Sequence, residues 1–131
     1  MARHLNPPGL MDSRRFFSQV VVAPSGTTVY VAGQTGYRVD RSIAATKQGQ
    51  MEQAFENARI ALEAAGFRMD QVVSMTLHIV DYSEADLEPL ARLTSACFPP
   101  DRLPASTLVP VARLARDDLL FEITVTAVIP A

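Results

Sequence analysis

Tryptophan is absent from this sequence, and cysteine occurs once, as Cys97. One thiol cannot close an internal disulfide, and it excludes a multi-cysteine zinc site. Histidine is nearly as scarce. His4 and His78 are the only two, too little material for a histidine-based metal centre. A surplus of positive charge is missing as well. Twelve Lys and Arg stand against fourteen Asp and Glu, for a net charge of −2 and a pI near 5.6. Binding driven by contacts to nucleic-acid phosphates is therefore not expected. No apolar run has the length that crosses a bilayer, so no membrane partner is expected either. Met1 to Asp12 lacks the apolar segment of a signal peptide. The expected compartment is the cytoplasm, which suits a lone reduced thiol. No metal or cofactor signature is found, and none is expected.

What is present describes one domain spanning residues 1–131. Apolar residues make up 48% and charged residues 20%, a balance that supports a packed core and excludes wholesale disorder. Phe17 to Ala23 is apolar and β-branched, Pro24 to Gly26 interrupts it, and Thr28 to Gln34 resumes. This pattern predicts a β-hairpin. Met51, Ala54, Phe55, Ala58, Ala61, Leu62 and Ala65 then fall on one helical face. Gly66 supplies the stop, and Asp40 or Ser42 the expected N-cap. Val72 to Val80 alternates as a strand, with Val73, Met75, Leu77 and Ile79 on one face and Ser74, Thr76 and His78 on the other. A second helix carries Leu87, Leu90, Ala91, Thr94 and Phe98 on one side, with Asp86 as N-cap and Pro99-Pro100 as terminator. Ala105 to Val111 and Leu120 to Val128 read as the last strands. The order β-β-α-β-α-β-β, with room for one more strand at the N-terminus, predicts an α+β fold with two helices on one face of a mixed sheet.

Two helices cover one face only. The other is expected to carry Ser74, Thr76, His78, Leu108, Thr124 and Thr126, a set almost without charge. A second copy of the chain is the simplest cover for such a face. Glu122 is the only acidic residue inside any predicted strand. Phe121, Ile123 and Val125 point to the helices, so Glu122 points to this second face. A carboxylate there is paired, hydrogen-bonded or functional. His78, on the same face, can be a base or, more commonly, a hydrogen-bonded interface residue. Cys97 reads as a structural thiol, since no cation near it in sequence would activate it.

Phe17-Ser18-Gln19, Val29-Tyr30-Val31-Ala32-Gly33-Gln34, Ala64-Ala65-Gly66, Val80-Asp81, Pro104-Ala105, Val109 to Leu114 and Glu122 occur in an order that resembles the RidA (YjgF) family over nearly the whole chain. The resemblance implies a chorismate-mutase-like fold, a homotrimer, and small-molecule clefts between subunits. It also implies hydrolysis of 2-imino and enamine acids to 2-keto acids and ammonia. In those proteins an Arg after Pro-Ala holds the substrate carboxylate, and the Glu matching Glu122 positions water.

The sequence departs from that pattern at the cleft. Ser106 follows Pro104-Ala105 where the Arg would stand, and alternation places it with Leu108 on the second face. A hydroxyl cannot replace a guanidinium. The loss is worth about 2–5 kcal/mol of carboxylate binding, by analogy with truncated ion pairs. Phe17 stands where deaminating members carry Tyr, and Ala32 where Ser often precedes Gly33-Gln34. Arg102, four residues before Ser106, is the leading candidate to compensate, ahead of Arg38 and Arg113 on spacing, although a solvated surface Arg is the commoner role for all three. The expected cleft therefore contains Phe17, Ala32, Gly33, Ser106, Leu108 and Arg102 as binding residues and Glu122 as the catalytic one. Two functions follow. One is a hydrolase for an imine, enamine or related metabolite other than a simple 2-imino acid. The other is a non-catalytic trimer that binds a ligand or a partner. Ribonuclease activity is opposed by the acidic pI and the absence of a His pair.

Overall fold

The computed structural model describes residues 1–131. Six strands and two α-helices follow in the order β1 (Arg3–Leu5), β2 (Val20–Val22), β3 (Gly26–Thr35), α1 (Lys47–Ala64), β4 (Val72–Val80), α2 (Leu87–Cys97), β5 (Ala105–Val111) and β6 (Phe121–Pro130). Single 3₁₀ turns precede β4 and α2. The main sheet has four strands in the order β3-β6-β4-β5. Its first two pairings are antiparallel, and β4 with β5 is parallel, bridged by α2 as crossover. The fold is α+β, with both helices on one face of a mixed sheet.

The expected hairpin does not form. β2 pairs antiparallel with β1, and β3 pairs with β6 instead. The Pro24-Ser25-Gly26 break separates two strands of different sheets. His4 lies in β1, and its Nδ1 sits 2.8 Å from the carbonyl oxygen of Leu103.

Alternation on β6 sends Phe121, Ile123 and Val125 into the core, all at most 1% exposed. On β4, Met75, Leu77 and Ile79 join them. Val73 does not. The β4–β6 register shifts by one between Val72 and Ser74, so Val72 takes the core position and Val73 is the extra residue. From α1, Met51, Ala54, Phe55, Ala58 and Leu62 complete the core, with the Phe55 and Phe121 rings stacked 6.0 Å apart. From α2 and the turn after it, Leu90 and Phe98 close the other end.

The cap of α1 differs from expectation. Thr46, rather than Asp40 or Ser42, is the N-cap, its hydroxyl accepting from the Gly49 amide at 3.0 Å. Asp40 and Ser42 instead shape a tight turn, with Ser42 N donating to the Asp40 carboxylate. Gly66 ends α1 at φ +81°, where the Phe67 amide donates back to Leu62. Asp86 occupies the predicted N-cap position of α2, but its carboxylate caps no α2 amide. It accepts from the Ser83 amide and from Lys47.

One buried polar residue fastens α1 to the loop before β6. Gln50 is 2% exposed. Its amide nitrogen donates to the carbonyls of Ala44 and Asp118, and its oxygen accepts from the Leu120 amide at 2.8 Å. Every polar atom of the side chain is thereby used.

Candidate functional site

β6 sits between β3 and β4, so Glu122 is flanked on both sides. It is in register with His78 on β4 and with Thr35 on β3. His78 and Glu122 therefore share the face away from the helices, together with the register pair Thr76 and Thr124. His78 Nδ1 is shielded from solvent and has no hydrogen-bond partner within the chain, a costly state for a buried nitrogen.

Glu122 owes its position to a bulge in β3. Val31 registers with Val125, but Gln34 registers with Ile123, so Ala32 and Gly33 together oppose Thr124. The Glu122 carboxylate lies over Gly33, in the space that a Cβ there would take. No other residue type leaves that space open. Ala32 and Gly33 are exposed beside it.

Ser106 and Leu108 are elsewhere. On β5, Ser106 registers with Met75 and Leu108 with Leu77, both core residues of β4. Paired residues share a face, so Ser106 and Leu108 lie on the helix side. This corrects the expectation that they share a face with Glu122. Leu108 packs against the core cluster. The residues that do register with Thr76 and His78 are Thr107 and Val109.

Phe17 joins Ser106. The segment before β2 runs along β5, where Ser18 forms a parallel bridge to Ala105 and the Ser18 amide donates to the Pro104 carbonyl. Two openings flank Phe17 and Ser106. One is a polar groove of about 240 Å³ with Gln19, Ser74, Thr76 and Thr107 on its walls. The other, also about 240 Å³, is an apolar pocket beneath α2 that Leu77, Leu87, Leu90 and Leu108 help to line. An Arg15–Glu88 ion pair ties the loop carrying Phe16 and Phe17 to the first turn of α2. The donated hydrogen bond and the charge of Arg15 hold the Glu88 carboxyl below its usual range.

Arg102 belongs to neither opening. Its guanidinium donates to Asp70 at 3.2 Å, and Arg68 engages the same carboxylate. These three residues border a separate small pocket that also contains His4. Cys97 packs at the edge of the core. Burial pushes its thiol up, and the charge of Glu56 adds to this, the opposite of an activated nucleophile.

Within one chain, then, the candidate residues form two groups. Glu122, Gly33 and Ala32, with His78 in addition, occupy the open face. Phe17, Ser106 and Leu108 occupy the helix-side edge. His78 was recognisable by residue type, but its pairing with Glu122 depends on the β4–β6 register.

Fold and site together define a small α+β domain with one carboxylate on an open sheet face and one uncharged pocket beneath its crossover helix. A family model described as Endoribonuclease L-PSP matches residues 10–129. The RutC family protein YjgH of Escherichia coli K12 is 35% identical over 106 residues, 81% of this chain and 79% of that protein. A 2-iminobutanoate/2-iminopropanoate deaminase of Dermatophagoides farinae is 29% identical over 103 residues, 77% of each chain. The crystal structure of the Rid-family protein YyfB from Yersinia pestis superposes with a TM-score of 0.88 at 27% identity, over 98% of both chains. The chain belongs to the Rid (YjgF) family.

Proposed function

We propose that this chain forms a homotrimer in the cytoplasm and holds a small molecule in clefts between subunits. There it hydrolyses an imine, enamine or related metabolite that is not a simple 2-imino acid. Glu122 is the residue that positions the attacking water, and Phe17, Ser106 and Leu108 form the wall that receives the rest of the substrate. The division of the candidate residues between two faces of one sheet supports a shared cleft. Glu122 of one subunit can meet Ser106 only across a boundary between chains.

The observation that carries the altered specificity is the residue at position 106. A guanidinium offers a carboxylate two parallel charged donors. The Ser106 hydroxyl offers one neutral donor, and Arg102, the candidate substitute, is engaged by Asp70. A second reading, a trimer that binds a ligand without catalysis, is favoured by the same missing charge. Retention of Glu122 over Gly33 favours chemistry.

The test generates 2-aminoacrylate and larger imines in situ and follows keto-acid release. The expected result is no acceleration by the native protein on 2-imino acids and a gain with Ser106→Arg that Glu122→Ala removes. Acceleration by the native protein that depends on Glu122 would make it an ordinary imino-acid deaminase and overturn the specificity reading. Inert native and Ser106→Arg proteins would favour the binding trimer.

A further inference from the structure

The pocket beneath α2 contains no ionisable residue. Eight of its ten lining residues are hydrophobic, and the other two are Ser106 and Thr94. Thr94 is 2% exposed on the inner face of α2. Phe17, Met75 and Leu90 supply much of the remaining wall. Of the cations nearest in sequence to the lining residues, Arg14, Arg15 and Arg102 are committed to Asp12, Glu88 and Asp70, and Arg92 is exposed and forms no part of the pocket wall.

A carboxylate entering this pocket would give up its hydration and meet at most two hydroxyls. Two neutral donors do not offset the desolvation of a full charge. An uncharged hydrocarbon group gives up unfavourable hydration and gains contact with aromatic, thioether and leucine side chains. The volume, about 240 Å³, lies just below the range of about 300–1,000 Å³ of ordinary ligand pockets. It suits a single ring or a short branched chain.

We infer that this pocket binds the apolar, uncharged portion of a small carbonyl, imine or enamine compound, with the Ser106 and Thr94 hydroxyls as its only polar side-chain lining. The protein thereby selects neutral compounds over their carboxylate counterparts. This deepens the proposed function and rests on its placement of Ser106 in the substrate cleft. Selectivity would come from two sources: apolar contact with the neutral compound, and rejection of a charge that finds no partner.

The test uses the full chain and a matched pair of stable ketones, 4-phenylbutan-2-one and 4-phenyl-2-oxobutanoate. These differ only in a methyl group against a carboxylate. Binding is followed by calorimetry and by shifts of the Ser106 and Thr94 amide resonances. The expected result is at least tenfold tighter binding of the neutral ketone, with perturbation of both amides. Ser106→Arg is expected to reverse the preference, and Leu108→Trp, which fills the pocket, to weaken the neutral ketone at least tenfold. Ser106→Arg lies on an edge strand and keeps the test intact if Leu108→Trp does not fold. Equal or tighter binding of the carboxylate would overturn the inference. So would binding of neither ketone, or neutral binding that a folded Leu108→Trp leaves unchanged. Imine hydrolysis is scored separately. A neutral preference without hydrolysis of any imine would sink the catalytic reading alone. A carboxylate preference with hydrolysis of neutral imines would sink the inference alone.

Discussion

The Glu122 carboxylate rests on the backbone of Gly33, so a residue of β3 determines where a side chain of β6 is held. An alanine at 33 would overlap the carboxylate, but the overlapped atoms are the far end of a flexible side chain. Glu122 is expected to swing aside at a cost to the fold of no more than about 0.5 kcal/mol. Activity that depends on Glu122 should fall about 100-fold, the usual consequence of displacing a reacting group by about 1 Å. Gly26→Ala is the control. There the new Cβ meets the Ile129 carbonyl and the Ala131 amide, both backbone, and about 1–3 kcal/mol of stability should be lost. Urea unfolding of the two variants, with turnover of Gly33→Ala, checks both statements. A Gly33→Ala protein with full activity would remove Glu122 positioning from the account.

Gln50 is expected to be the most sensitive polar side chain in the core. Gln50→Ala strips partners from the Leu120 amide and from the carbonyls of Ala44 and Asp118. Buried groups left unpaired cost about 1–3 kcal/mol each when water cannot reach them. A loss of about 2–4 kcal/mol by urea unfolding is the expected outcome. Leu120 lies two residues before Glu122, so the open-face carboxylate should also become more mobile in NMR relaxation.

The loop over the apolar pocket should respond to acid. The Glu88 carboxyl is held below its ordinary 4.5 by Arg15. A depressed folded value means that the contact contributes fully above about pH 4.5 and is lost as pH falls through the folded value. Both side chains are more than half exposed, so global stability should change little and fall further under salt screening. Amide protection of residues 11–17 should be flat from pH 7 to 5 and drop below about 4.5. Arg15→Ala should show the lowered protection already at pH 7. Unchanged protection in that variant would mean that the ion pair does not hold the loop.

Assembly can be tested on the open face. Tyr30 is 80% exposed there, in register with Thr126, and Thr124 lies near the middle of the same surface. Burying a new charge against a second chain is costly. Thr124→Arg is expected to convert trimers to monomers in sedimentation velocity while leaving the circular dichroism of the chain intact. A wild type that sediments as a monomer would remove the shared cleft.

Secondary structure was legible wherever one periodicity dominated. The bounds of β4 and β5 follow from residues 72–80 and 105–111, and α2 from its apolar stripe between Asp86 and Pro99. Pairing was less legible, because it is decided by residues far away in the chain. The run after Phe17 reads as the hairpin partner of β3, and only the three-dimensional arrangement gives it to β1 and gives β3 to β6. The facing of β5 was illegible for a different reason. Its sequence, ASTLVPV, has apolar residues at both parities, Leu108 on one and Val109 and Val111 on the other. Alternation shows which residues share a face without showing which face that is. Glu122 escaped this ambiguity because Phe121, Ile123 and Val125 leave no alternative. The Val72 register shift and the Gly33 bulge carried no local signal beyond the glycine itself.

The position of β6 has a consequence for how the molecule comes into being. It follows every other element in the chain, yet it lies in the middle of the main sheet and joins β3 to the β4–β5 pair. During synthesis β3 and α1 emerge early and wait for a neighbour made almost a hundred residues later. The exposed edges of β3 and β4 remain open until then, and long-range pairings of this kind form slowly. A nascent chain halted before Phe121 would carry two unjoined halves of a sheet, each with an unpaired strand ready to recruit another chain. The strand that brings Glu122 into place is thus also the one that ends the chain's period of greatest exposure to aggregation.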